Sequence, residues 1–419
     1  MRFSNCKAAF LAAAAMTMAG GASAQELQYW VYSDFAQGDA LKLQQEFIAE
    51  FEKANPGVKI TISGRGDDDL TSGQIAGAAS GSLPDVYMNG LAVGAQLVDV
   101  KALANIYSDW MAMPQEFRDQ FNPEAIKACS PAPETMYCLP YTGFGEVVYR
   151  NLTVLEKAGI DTSVPPATWE EWLEQMQKVK QAGSYAIPDM TQVFNGVAAF
   201  YAIVGDKKNW TVDFTTNKTA IDKESLSRTL QTFVDMAKLN SGTSRNDQAT
   251  RDLFITNQLA FHTSGPWLNP TYAKAAAESG LKYDFVLLPG RTAGDHGGVR
   301  SYEFVGVAPG PNREIAWKFA AFITEKTQMA RWAKLLSRYN ANAAAMADPE
   351  VDALPLVKTS VEAVRYAMDV QPPYFVKPIP NCYRQAITDM ASAVADEEYT
   401  PDEGAEELTD ELNACLAEK

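Results

Sequence analysis

The sequence has little of what metal or nucleophilic chemistry requires. Its 419 residues hold two histidines, His262 and His296, and five cysteines. The histidines stand apart from the cysteines, and no Cys-x-x-Cys or Cys/His cluster occurs, which argues against a zinc site. There is no glycine-rich loop to cradle a phosphate and no motif context for a Ser/His/Asp nucleophile. Basic residues are scarce, 36 Lys+Arg against 52 Asp+Glu, for a formal net charge of −16. That balance excludes binding of nucleic acid or an anionic membrane through bulk charge. Internal repeats are missing, and after the first 24 residues no run approaches the roughly 20 apolar residues that a spanning helix needs.

What is present begins with an address. Arg2 and Lys7 precede the apolar run Ala8 to Met18, and Ala22-Ser23-Ala24 has the small-residue pattern of a secretory cleavage site, so residues 1–24 read as a signal peptide. Cys6 lies within it, and no cysteine follows the cleavage site as a lipid anchor would require. The expected location is a periplasm. The mature 395 residues, with net charge −18 once Arg2 and Lys7 are gone, exceed one ordinary core and predict two domains. Four cysteines remain for an oxidising compartment, where disulfides are the expected use. Of three possible pairings, Cys129 with Cys138 closes a short loop and Cys382 with Cys415 staples two terminal helices, and these two are the favoured ones.

Periodicity predicts alternating strands and helices. Leu27 to Tyr32 reads as a strand, and Leu43, Phe47, Phe51 and Ala54 then recur on one helical face until Asn55-Pro56-Gly57. A strand at Val58 to Ile62, a helix at Leu70 to Ser80 and a strand at Pro84 to Met88 follow, a pattern that implies a mostly parallel sheet covered by helices. Further on, Thr168 with Glu171 and Thr400-Pro401-Asp402-Glu403 carry helix-start signatures. Helices are expected at Asp222 to Asn240, Pro266 to Ser279 and around Ile315 to Ile323, and strands at Tyr283 to Leu288 and Tyr302 to Val307.

Several segments in this order resemble the extracellular solute-binding proteins of carbohydrate ABC importers, the class that includes the maltose-binding protein. They are Leu83-Pro84-Asp85-Val86, Leu139-Pro140-Tyr141 with Val148-Tyr149-Arg150-Asn151, Leu155 to Ile160 leading to Pro166-Ala167-Thr168-Trp169-Glu170-Glu171, Gln258 to Phe261 with Ser264-Gly265-Pro266-Trp267, and Ala316-Trp317-Lys318-Phe319. The resemblance implies an α/β fold of two lobes, three crossings between them near residues 141–146, 286–291 and 325–329, and a helical C-terminal tail. The lobes would comprise residues 25–141 with 290–325, and 142–289 with 326–419. It also implies hinge closure on a ligand, a monomer, a permease partner and no cofactor, metal or catalysis.

A sugar presents hydroxyls around a ring with weakly polar C–H faces, so its site needs aromatic platforms beside planar polar groups. Gly265-Pro266-Trp267 resembles the family position where an aromatic ring stacks on the sugar, so Trp267 is the leading platform, and the resemblance adds Tyr383 as a further aromatic with Tyr374 nearby. Ligands of open α/β sheets bind beyond the carboxyl ends of strands, which brings in Asp34, the loop Arg65-Gly66-Asp67-Asp68 and Asn89. The resemblance adds Tyr141, Gly143, Phe194 and Asn195, and Arg300 and Tyr302 flank a returning strand. A rival reading takes an anionic ligand, a glycerol phosphate or sulfonated sugar, on Arg65, Arg300, Arg338 and Arg384. A secreted glycosidase would need two carboxylates at a set separation, and among 52 acidic residues accidental pairs such as Asp67-Asp68 abound. A chemoreceptor partner would use the same cleft. Sequons at Asn151, Asn209 and Asn217 are short matches of the kind chance supplies.

Overall fold

The computed structural model describes residues 25–205, 210–369, 375 and 379–417. The expected signal peptide, Tyr374 and Asn209 lie outside the described residues. The chain opens with β1 (Gln25–Tyr32), α1 (Gly38–Ala54), β2 (Val58–Arg65), α2 (Asp67–Ser80) and β3 (Val86–Gly90). α1 buries Leu43, Phe47 and Phe51, and the Asn55 side chain donates to the Phe51 carbonyl where the helix stops. Short helical turns from Leu91 to Cys129 lead to β4 (Leu139–Gly145), and β5 (Val147–Asn151) follows after a single residue.

Next come α3 (Trp169–Gln181), β6 (Ile187–Asp189), α4 (Phe194–Val204), α5 (Lys223–Ala237), β7 (Asn240–Ser244), β8 (Phe261–Ser264), α6 (Asn269–Ser279) and β9 (Tyr283–Leu287). The chain continues through β10 (Val299–Val307), α7 (Arg313–Ile323), α8 (Lys326–Leu336), α9 (Pro355–Tyr366), β11 (Met368–Asp369), α10 (Asn381–Ala395) and α11 (Pro401–Ala417). Both helix starts are capped. Thr168 Oγ1 accepts from the Glu171 N–H while the Glu171 carboxylate accepts from Ala167 rather than Thr168. At Thr400 the box is reciprocal, each residue's backbone N–H donating to the other's side chain.

The first sheet runs β11-β10-β3-β1-β2, with β4 also on β10. β1 is parallel to β2 and β3, and β10 to β11, while β10 is antiparallel to β3 and β4, so the expected mostly parallel sheet is a mixed one. The second lobe has an antiparallel sheet β8-β5-β9 and a parallel pair β6-β7. Its helices α3, α4, α5, α10 and α11 bury Trp172, Phe200, Leu230, Ile387 and Leu408 in a core separate from that of the first sheet.

One boundary differs from expectation. The expectation places 326–419 in the second lobe, yet Met329, Trp332 and Leu336 of α8 lie in the first core, and α9 straddles the two, with Val357 and Val364 in that core and Ala363 beside Val147 and Tyr149. The reason is packing: Trp332 stands edge-on to Phe35 at 5.0 Å and lies 6.1 Å from Tyr141. No crossing occurs at 325–329, since α7 and α8 share that core, and by α10 the chain is in the second lobe. The passage expected at 286–291 falls later: Leu288 and Val299 both pack in the second core while Tyr302 and Phe304 pack in the first, so the chain crosses within β10. Both favoured disulfides form, Cys129–Cys138 and Cys382–Cys415, and the second joins α10 to α11.

Candidate functional site

β1 ends at the face between the lobes, and the turn Ser33–Ala36 carries Asp34 there while Phe35 is buried beneath. Asp34 is exposed to solvent on one side yet closely surrounded by protein on the other. That crowding pushes its carboxyl up to about 6; Arg338 opposes the shift and Glu303 adds to it. Arg338 follows α8, which stops on Ser337 in the left-handed region at φ 52°. The turn buries the Arg338 side chain to 1% exposure, with Nη2 donating to Glu303 Oε1 at 2.8 Å. Thr142 on β4 also donates to the Glu303 carboxylate.

The second lobe meets this cluster through Trp267. Its ring folds back over Gly265, where an added Cβ would lie 1.7 Å from it, so only glycine admits this placement. Phe144 on β4 stands edge-on at 4.7 Å, and the Arg338 guanidinium is 5.3 Å from the Phe35 ring and 6.0 Å from the Trp267 ring. A partly exposed indole, an open carboxylate and a matched guanidinium thus converge from both lobes. Such a set can stack on an apolar face and accept hydrogen bonds from hydroxyls.

Other expected residues are committed elsewhere. Asn89 is buried; its amide donates to Thr71 and Gln74, and its oxygen accepts from Tyr32 and Gly90, so it knits the first-lobe wall. Arg65 lies flat on Trp30, 3.5 Å from the ring, and Asp67 and Asp68 open α2 beside it. Tyr141 is wholly buried in the first core. Gly143 lets β4 pass close to Tyr302 and Tyr339, which a Cβ would meet at 2.9 and 3.2 Å. Tyr302 is 8% exposed, and Arg300 grips Asp369 through Nε and Nη2 at 2.8 and 2.9 Å.

In the second lobe, Phe194 and Asn195 start α4, and the Arg384 guanidinium lies 5.4 Å from the Phe194 ring. Tyr383 is in the core, its hydroxyl 2.7 Å from both the Thr211 carbonyl and Thr219 Oγ1. Sequence reasoning passed over Phe35, Thr142, Phe144 and Glu303. Glu303 left a signal, a lone carboxylate in the apolar strand Tyr302-Glu303-Phe304-Val305.

Among the described residues no group of three or more His, Cys, Asp or Glu is arranged to hold a metal ion, and no helix is long and apolar enough to cross a membrane. His262 is a core residue. Its Nε2 donates to the Arg245 carbonyl at 2.8 Å, which leaves Nδ1 to accept from Tyr272, and burial lowers its pKa to about 3.

The sequence pattern described as bacterial extracellular solute-binding protein matches residues 36–330. Similar relatives include the sn-glycerol-3-phosphate-binding periplasmic protein UgpB of Brucella abortus, 33% identical over 67 residues, 16% of each chain. UgpB of Escherichia coli is 26% identical over 181 residues, 42% of this chain and 40% of the relative. The chain therefore matches well under two thirds of these relatives' length. Similar solved structures include the GacH receptor of Streptomyces glaucescens, determined unliganded and with acarbose, with TM-score 0.81 at 18% identity over 94% of this chain and 99% of that one. A solute-binding protein of Thermotoga lettingae bound with α-D-tagatose gives 0.80 at 19%, over 94% and 100%. The maltotriose-binding protein of Thermus thermophilus gives 0.75 at 16%, over 93% and 100%. These likenesses confirm the two-lobed α/β fold, and the match over residues 36–330 settles the family: the chain belongs to the bacterial extracellular solute-binding proteins.

Proposed function

We propose that this protein, exported to the periplasm, captures a carbohydrate between its lobes and delivers it as a monomer to the permease of an ABC importer, with no covalent chemistry. The observation that carries the reading is the Trp267 face set beside Asp34 and the Arg338–Glu303 pair. A ring with hydroxyls on its edge suits that arrangement. Charge accounting supports an uncharged sugar. Arg338 is matched by Glu303 and Arg300 by Asp369, and a phosphate at the Trp267 face would meet the Asp34 carboxylate.

The second reading, a glycerol-phosphate ligand, draws on the UgpB similarity and on Arg65, held on Trp30. A secreted enzyme would show turnover, which this reading does not expect. A thermal-shift screen of the mature protein against neutral saccharides, polyols and glycerol phosphates separates them, since a ligand of the folded state raises the melting temperature. The sugar reading expects a rise with a neutral saccharide that Trp267→Ala abolishes. A rise only with phosphates, lost in Arg65→Gln, replaces it with the second reading.

A further inference from the structure

The joint between the lobes is built largely of glycine. β4 ends on Gly143-Phe144-Gly145, and Gly297-Gly298 leads into β10, which leaves the second core after Val299. At Gly145 a Cβ would lie 2.1 Å from the Ala363 carbonyl carbon, and Gly298 has φ +93°, a region that L side chains rarely adopt. Glu146 is the single residue between the two sheets, and its N–H donates to the Val299 carbonyl at 3.0 Å, so both passages meet at it.

Its side chain reaches Arg245, with Nη2 2.5 Å from Oε1 and exposures of 0% and 2%. Arg245 is fixed in the second lobe. Its N–H donates to the Asp189 carbonyl at 3.2 Å, its own carbonyl accepts from His262, and its Cδ packs against Gly196. Burial raises the Glu146 carboxyl despite the facing guanidinium. A buried ion pair seldom stabilises a fold more than apolar packing would, and here Arg245 Nε and Nη1 are buried without hydrogen-bond partners. Stability alone therefore does not account for the pair.

We propose that Glu146 and Arg245 are positioning residues that tether the joint to the second lobe, so that closure bends the chain at Gly145 and at the facing Arg300, just beyond Val299, while the second-lobe sheet stays fixed. The inference rests on the two-lobed fold and is independent of which ligand binds. An untethered joint would spread its bending into β5 and sample wider openings.

The test uses the ligand-free mature protein, comparing wild type with Glu146→Gln and with the double variant Glu146→Gln/Arg245→Met. The double variant leaves no uncompensated charge, so it decides the matter if the single variant does not fold. Amide exchange in residues 139–151 and 296–302 is expected to rise tenfold or more while α5 exchanges as before, and small-angle scattering is expected to show a larger radius of gyration. Exchange at the joint within twofold of wild type overturns the proposal. A rise of equal size in α5, or an unchanged radius of gyration, also overturns it, because the pair would then support only the core.

Discussion

Replacing Gly265 with alanine tests the placement of Trp267 without touching the tryptophan. Gly265 has φ −92° and ψ 167°, a backbone that alanine adopts freely. The new methyl would sit 1.7 Å from Cζ3 and 2.1 Å from Cε3 of the indole, so the ring must turn away. It would lose the edge contact with Phe144 at 4.7 Å, a geometry that contributes about 0.5–1.5 kcal/mol. It would also leave the Arg338 guanidinium, an interaction that contributes about 0.5–1 kcal/mol at a partly exposed site. Alanine restricts the unfolded chain and returns roughly 0.4–1 kcal/mol. The net expectation is a loss of about 1 kcal/mol, read by urea unfolding, together with a red shift of the indole emission. Any ligand that stacks on Trp267 should bind at least about tenfold more weakly, equivalent to about 1.4 kcal/mol. Unchanged emission with a stability change below about 0.3 kcal/mol, the usual scatter between independent sites, would refute the placement.

Asp34 makes the protein pH-sensitive in a defined direction. Its folded value of about 6 lies above the ordinary 3.8, so its contribution to stability is most favourable at low pH and is lost as pH rises from about 4 through 6. Asp34→Asn should therefore raise the melting temperature more at pH 7.5 than at pH 4.5, and equal shifts at both would contradict the crowded setting. Hydroxyl donors from a ligand favour the carboxylate, so affinity should weaken as pH falls from 7 to 5, and calorimetry on Asp34→Asn should show that dependence gone. The disulfides should differ in weight. Loop-closure entropy assigns about 4 kcal/mol to Cys382–Cys415, with separation 33, and about 3 kcal/mol to Cys129–Cys138, with separation 9. Serine replacement of each pair, followed by thermal unfolding, should show the larger loss for the first; the reverse order would mean that local packing, not loop length, governs.

The fold was legible where local rules act alone. The α1 stripe over Leu43, Phe47 and Phe51, its Asn55 stop and the caps at Thr168 and Thr400 depend on neighbours a few residues away and formed as read, while Ala54, expected on the stripe, is exposed. The lobe boundary at 326 misplaced α8 because only long-range packing, Trp332 against Phe35 and Tyr141, assigns it to the first core. In the candidate site, Trp267 and Asp34 stand at a helix start and a strand end, positions the sequence marks. Asn89 and Tyr383 sat at equally marked positions, yet their hydrogen bonds are taken up by Thr71 and Gln74 in one case and by Thr211 and Thr219 in the other. Position in the chain does not distinguish an open polar group from a satisfied one.

A lone charge within an apolar run carried information that family resemblance did not. Glu303 stands between Tyr302 and Phe304, Glu146 precedes Val147-Val148, and Arg150 follows Tyr149, each in a strand or at its edge where an unpaired charge would be costly. Every one has an opposite charge supplied from far along the chain: Arg338 for Glu303, Arg245 for Glu146, Asp284 for Arg150. Arg150 with Asp284 ties β5 to β9 within one sheet and is structural. The other two lie where the lobes meet, one beside Trp267 and one at the glycine joint. The same sequence signal therefore has different consequences according to whether its partner belongs to the same sheet or borders the cleft. Within one sheet the pair joins facing strands, whereas between the lobes it leaves a matched pair beside Trp267 in one case and at the joint in the other.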